Sequence, residues 1–166
     1  MNEITLYLIR HAIAEERGDE WPDDDLRPLT KEGSKLFSAA ARGFLSFATA
    51  PEQVITSPLV RARQTADLFA AAAKPAVPVS IMDELSPGHS PSAVLTKVRK
   101  LGDRERVALV GHEPDLGYLA AHLLGCGRPL PFKKGGICRI DATLGRQSNG
   151  TLIWFLPPKA LRAVRK

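Results

Sequence analysis

The sequence predicts an α/β fold, a three-layer sandwich with a mostly parallel central sheet and helices on both faces. Three observations carry that expectation. Two apolar runs, ITLYLI at 4–9 and RVALVGH at 106–112, read as buried strands. Strand-like and helix-like stretches then alternate along the chain, which is the pattern of parallel βα units. The last third changes to two strand-like runs joined by a turn. A chain of 166 residues suits one domain, spanning 1–166, with a core that needs no staples.

The elements follow in order. Residues 4–9 are β-branched and aromatic, as an interior strand requires. Residues 12–30 are a polar loop carrying Pro and Asp; nineteen residues is long for a connector, and long connectors are often functional. Thr30 can cap the helix that follows. In that helix Leu36, Ala39, Ala40, Gly43, Phe44 and Phe47 recur at helical spacing and predict the buried face. QVITS at 53–57 is a short strand, and Pro58 suits the first turn of the next helix. VPVSIMDEL at 77–85 holds another strand. Residues 90–101 read as a helix, with Ser90 or Ser92 near its start and Gly102 after its end. After the strand at 106–112, Leu116, Leu119, Ala120, Leu123 and Leu124 share one helical face, closed by Gly125. GGICRIDATL and TLIWFLPP, joined by GRQSNG, predict a terminal hairpin.

Composition excludes several classes. At 44% hydrophobic and 25% charged residues, the chain is an ordinary globular one. Cys126 and Cys138 make no disulfide framework and read as small core thiols in a reducing compartment. The N-terminal apolar run is short, lacks a basic leader and is broken by Arg10, so no signal peptide is expected. No run approaches a transmembrane length. The expectation is a cytoplasmic protein, with no membrane association. The net charge of +5 owes part to Lys159, Arg162, Arg165 and Lys166. Such a balance suits nucleic acid, acidic proteins or phosphorylated ligands, but a solvated tail is the simpler reading.

Ligands of open α/β sheets bind beyond the carboxyl ends of strands. Three strand ends are suggestive here: Arg10-His11, Ser57 with Arg61 a turn onward, and Gly111-His112. If those strands are neighbours, two histidines and two arginines share one pocket. Zinc would be repelled by two guanidiniums. A serine triad lacks its acidic partner. Arginines beside a helix N-terminus instead suit a phosphoryl group, and a neutral histidine among them can attack it. Positive neighbours favour that neutral state.

LIRHA, TSPLVRARQTA and LVGHEP resemble the histidine phosphatase (phosphoglycerate mutase-like) superfamily. DDDLRPLTKEG, DELSPG and the shortness of the chain make it most similar to the SixA-type phosphohistidine phosphatases. The resemblance runs from the first strand through the hairpin and implies the phosphoglycerate mutase-like fold. It implies His11 as nucleophile, Arg10 and Arg61 as phosphate ligands, and His112 as the second histidine on the phosphoryl group. It implies no cofactor and no metal. Among general acids it ranks Glu84 first and Asp24 second, with His89 an outsider. Ala12 departs from the superfamily, which usually has glycine after Arg-His; alanine disfavours positive φ, so the backbone path past the phosphate is open at that point.

Simpler readings stand beside these. Arg63 reads as a solvated helix arginine and His122 as structural. The aspartates at 23–25 read as a solvated loop, and Trp21 and Trp154 as packing residues. The expectation is a metal-independent phosphatase, monomeric, that acts through a covalent phosphohistidine. Its substrate would be a phosphohistidine-bearing protein such as a phosphotransfer domain. A small phosphate ester is the alternative substrate, and a sugar-phosphate mutase is weaker still. A basic phospholigand or nucleic-acid module lacks the clustered aromatics and motif it would need, so no nucleic-acid partner is expected.

Overall fold

In the computed structural model, which describes residues 2–164, the first apolar run forms strand β1 (Asn2–Arg10). Its side chains alternate between the two faces of the sheet, and both faces are covered. Leu6 and Leu8 pack on one side, Tyr7 and Ile9 on the other, none more than 1% exposed. The other strands are β2 (Gln53–Thr56), β3 (Val79–Ile81), β4 (Arg106–Gly111), β5 (Ile137–Leu144) and β6 (Asn149–Leu156). The sheet order is β3-β2-β4-β1-β5-β6. The first four of these are mutually parallel, and β5 runs antiparallel to both β1 and β6.

The helices are α1 (Lys31–Leu45), α2 (Val60–Ala72), α3 (Pro91–Val98), α4 (Asp115–Leu124) and α5 (Pro158–Ala163). One core joins Ile4, Leu6 and Leu8 to Val94, Leu95 and Val98 of α3 and Leu116, Leu119 and Leu123 of α4. The opposite core joins Tyr7 and Ile9 to Phe37 and Phe44 of α1, Ala62, Ala66 and Phe69 of α2, and Leu161 of α5. These two cores on opposite faces make the three-layer α/β sandwich that the sequence predicts. Thr30 caps α1 by accepting from the Gly33 N–H at 2.8 Å, and Ser90 caps α3. Gly125 ends α4 in the left-handed conformation that glycine adopts freely.

Several expectations are corrected. The buried face of α1 keeps the predicted Ala40, Gly43 and Phe44 and adds Gly33, Phe37 and Ala41, while Leu36 and Ala39 are only partly buried. Phe47 is exposed because α1 has already ended at Leu45 and Ser46 caps it; its ring edges against Trp154 at 5.5 Å and Phe44 at 6.1 Å. Trp154 packs as expected, near Tyr7 and Phe44. Pro58 lies before the N-cap Leu59, outside α2. Cys138 is a buried thiol, but Cys126 is exposed beyond the end of α4, and the two are unpaired. His122 is exposed on the outer side of α4. The basic tail is partly structured: Lys159 and Arg162 lie on α5, which is anchored by the fully buried Leu161. A Cβ at Gly43 would collide with the Leu161 carbonyl, so the close approach of α1 and α5 depends on that glycine. Arg165 and Lys166 lie outside the described residues. Among the described residues no helix is long and apolar enough to cross a membrane.

Candidate active site

Strand register assembles the site. Arg10 on β1 sits opposite Gly111 on β4, so the next residues, His11 and His112, leave the sheet side by side. The His11 N–H donates to the Gly111 carbonyl at 3.0 Å, and the two rings lie 5.2 Å apart. On the other flank of β4, Ser57 extends β2 and donates its N–H to Val110 at 3.0 Å. Arg61 follows in the first turn of α2. The convergence expected from the three strand ends is therefore present.

Each side chain is held from below. His11 is 6% exposed, and its Nδ1 lies 2.7 Å from the Ala12 carbonyl. A carbonyl only accepts, so Nδ1 carries the proton and Nε2 keeps the lone pair. Burial lowers its pKa to about 4; the bond to Ala12 opposes this, and the charges of Arg61, Arg10 and Lys134 add to it. Burial likewise takes His112 down to about 3, helped by His11 and Arg61. Its Nε2 lies 2.8 Å from Ser57 Oγ, while Nδ1 is buried without a protein partner. Both imidazoles are neutral at pH 7.

The two arginines are fixed at their outer nitrogens. Arg10 Nη1 donates to the Phe132 carbonyl at 2.7 Å. Arg61, 3% exposed, donates through Nη1 to the Asp24 carbonyl at 2.8 Å and pairs through Nη2 with Asp24 Oδ2 at 3.1 Å. The Nε atoms of both are buried and unpartnered. Such orphaned groups are costly in a native structure unless a ligand or water meets them. Three of them in one pocket suit a tetrahedral oxyanion, which accepts from several directions. Among the described residues, no group of three or more His, Cys, Asp and Glu is placed to hold a metal ion.

Ala12 fits without strain. No non-glycine residue among those described has positive φ, and Ala12 is 2% exposed. Its N–H donates to Thr65 Oγ1 at 3.0 Å, and that hydroxyl donates to the Arg61 carbonyl at 2.7 Å. Thr65 thus ties the segment after His11 to α2.

The candidate acids are placed less directly. Asp24 lies beside Arg61, and its carboxylate is engaged by Arg61 and Arg27. Glu84 stands in a 3₁₀ turn, Asp83–Leu85, and shares a crevice with His112, His89 and Asp115. Its Oε1 lies 3.0 Å from Lys97 Nζ, and the hydrogen bond from Lys97 holds its pKa below the ordinary value. His89 is exposed and turned toward the Ser86 carbonyl at 3.0 Å. Arg63 is exposed beside Asp67, as expected. Sequence reasoning missed Glu113, which is half-buried, accepts from the Gly117 N–H at 3.0 Å and has its pKa raised by burial. It also missed Arg27, 7% exposed and bonded to Asp24. Both stand inside quoted motifs, but nothing local marks what they touch.

Comparison with known proteins agrees with this geometry. The family model "Histidine phosphatase superfamily (branch 1)" matches residues 6–87. An uncharacterized protein of Picosynechococcus sp. is 38% identical over 163 residues, covering 94% of this chain and 98% of its own. The phosphohistidine phosphatase SixA of Escherichia coli is 26% identical, covering 96% of this chain and 98% of its own. A solved structure of the protein histidine phosphatase SixA complexed with tungstate has a TM-score of 0.83 at 26% identity, covering 95% of this chain and 99% of that one. A structure of a putative alpha-ribazole-5'-P phosphatase from E. coli shares the fold at a TM-score of 0.70 and 18% identity, covering 95% and 98%. The phosphoglycerate mutase-like architecture, the ordered motifs and these relatives lead to one assignment: the chain belongs to the histidine phosphatase superfamily.

Proposed function

We propose that this protein is a metal-independent phosphatase that removes the phosphoryl group from protein phosphohistidine through a phosphohistidine of its own. Phosphatase activity is what the superfamily and its SixA relatives support. The observation that carries the mechanism is the neutral His11, with Nδ1–H tied to Ala12 and Nε2 free, between two arginines with unpartnered Nε atoms. His11 Nε2 attacks phosphorus; the new N–P bond forms as the bond to the leaving group breaks. Arg10, Arg61 and His112 stabilise the charge on the equatorial oxygens. Water then attacks the phosphohistidine, releasing inorganic phosphate and restoring Nε2. Brief incubation with labelled substrate leaves acid-labile, alkali-stable label on the protein, and none on His11→Ala. Label retained in that variant would exclude His11.

The choice of substrate rests on the acids. The two carboxylates favoured as proton donors, Asp24 and Glu84, are each bonded to a cation and held below their ordinary pKa. An imidazole leaving group asks less of an acid than an alkoxide does. General acid catalysis is worth about 10²–10⁴-fold where the leaving group needs it. Glu84→Gln therefore leaves the rate on a phosphohistidine protein nearly unchanged, and a loss in that range on an alkyl phosphate would show that Glu84 donates a proton in spite of its bond to Lys97. Large and equal losses on both would favour a small phosphate ester as the natural substrate. Chelation leaves the rate unchanged; a lost rate restored by zinc or magnesium would refute the metal-free reading.

A further inference from the structure

We propose that Arg27 and Asp24 form a strut that positions Arg61 for the transferring phosphoryl group, so that Asp24 serves as a positioning residue and not as the proton donor. The inference rests on the phosphatase reading of the pocket. Asp24 lies between two buried guanidiniums. Its Oδ2 meets Arg61 Nη2 at 3.1 Å, and its Oδ1 accepts from Arg27 Nε at 2.8 Å. Its backbone carbonyl takes a second bond from Arg61, at 2.8 Å. Arg17 approaches Oδ1 only from solvent, at 3.5 Å.

Arg27 is itself anchored. Its Nη1 donates to the Glu15 carbonyl at 2.7 Å, across the loop from Asp24. The Glu15 N–H returns a bond to Pro28 at 2.8 Å, and Ala14 bridges Leu29. The Leu29 N–H donates to Gln64 Oε1 of α2 at 2.8 Å. The long loop is therefore folded into two arms, and Arg27 links both to the carboxylate. Asp23 holds the 3₁₀ turn Asp24–Leu26 by accepting from the Asp25 N–H at 3.0 Å.

The charge count fits the role. One carboxylate between Arg27 and Arg61 leaves the pocket net positive, with Arg10 added, so a phosphoryl dianion is still attracted. A buried arginine with no anion would be costly, and a long side chain with no brace would lose its aim. The hydrogen bond from Arg27 is the largest cause that keeps Asp24 below its ordinary pKa, ahead of the charges of Arg61 and Arg17. Both carboxylate oxygens face guanidinium donors, which leaves neither one turned toward a leaving group.

The test compares Asp24→Asn, Arg27→Ala, Arg27→Lys, the Asp24→Asn/Arg27→Ala double variant and Arg61→Ala. Tungstate affinity is read by calorimetry, and kcat and KM on an aryl and an alkyl phosphate. Asp24→Asn and Arg27→Ala each weaken tungstate on the order of tenfold, the scale of one charge-assisted hydrogen bond. The double variant loses no more than the worse single, because the two act through one path. Losses are equal on the aryl and alkyl esters, and Arg27→Lys recovers part of the affinity. Additive losses, or unchanged tungstate binding in both Arg27 variants, would overturn the strut. A loss in Asp24→Asn confined to the alkyl ester would make Asp24 the acid. If Arg27→Ala fails to fold, Arg27→Lys and Asp24→Asn carry the comparison. Wild-type tungstate binding that survives Arg61→Ala would instead refute the reading of the pocket itself.

Discussion

The two ends of the parallel strands carry charge in opposite ways. At the end where β1 and β4 begin lies a cavity of about 530 Å³ that touches Thr5, Tyr7, Arg106, Arg139 and Asp141. Its arginines are paired with carboxylates. Arg139 forks onto both oxygens of Asp141 at 3.0 and 2.9 Å, and Thr5 donates to the same carboxylate at 2.8 Å. Arg106 pairs with Glu105 and Glu52, and Tyr7 donates to the Thr49 carbonyl at 2.9 Å. At the end where the same strands finish, beside His112, the crevice holds only about 10 Å³. At that end of the strands one nitrogen each of Arg10 (Nε), Arg61 (Nε) and His112 (Nδ1) is buried without a protein partner. Volume does not mark the site; unmet hydrogen-bonding capacity and unbalanced charge do.

The largest expected effect tests that contrast directly. If Arg61 holds the phosphoryl oxygens as proposed, Arg61→Ala lowers kcat by about 10²–10³, the cost of deleting one donor that stabilises transition-state charge. Arg139→Ala, at the other end, leaves kcat and KM within a factor of about two and lowers stability by about 0–1 kcal/mol, as for other solvent-accessible pairs. Steady-state kinetics and thermal melts on the two variants check both statements. Comparable kinetic losses from the two would break the comparison.

Much of the catalytic end was legible because it follows from strand ends. Arg10-His11 and Gly111-His112 terminate apolar runs, and parallel pairing needs only that those runs be neighbours. Thr30 was legible as a cap because capping is local. The Arg27–Asp24–Arg61 contacts were not, since they depend on how a nineteen-residue loop folds against α2. Glu113 reads as an ordinary charged residue until its burial is known. In α1, Ala40, Gly43 and Phe44 were legible from helical spacing; Phe37 and Ala41 were not, because packing against α2 and α5 puts them in the core, and Phe47 drops out because the helix stops at Leu45. α5 was hidden by its basic composition, although Leu161 supplies the apolar anchor.

A smaller effect follows from the two neutral histidines. Their folded pKa values, about 4 and about 3, lie below the ordinary 6.5. The unfolded chain therefore binds protons between pH 6.5 and about 4 that the native protein refuses. Stability from this source is complete above pH 6.5 and falls as pH drops through that window. Thermal melts of wild type lose ground from pH 7 to pH 4, and His112→Gln loses less over the same range. His11, the proposed nucleophile, is still neutral at pH 6, so kcat/KM keeps its value on passing from pH 7 to pH 6. A wild-type melting temperature that rises on acidification would reverse the sign assigned to both histidines.

The smallest effect concerns Ala12, which stands where the superfamily usually has glycine. Glycine would help only if the backbone there were left-handed, and no non-glycine residue among those described has positive φ. Ala12 is 2% exposed, and its methyl belongs to the core that includes Ile9 and Phe37. Its N–H bond to Thr65 belongs to the backbone and survives substitution. Ala12→Gly therefore relieves no strain, loosens the unfolded chain and removes one buried methyl. The cost is about 1.5 kcal/mol in stability, combining roughly 0.5–1 for backbone freedom with about 0.8 for the buried methyl. Denaturant midpoints read that loss. kcat on an aryl phosphate stays within a factor of about two, since the groups that hold the phosphoryl oxygens are unmoved. A faster or more stable Ala12→Gly enzyme would mean that alanine forces the phosphate-side backbone out of its preferred path.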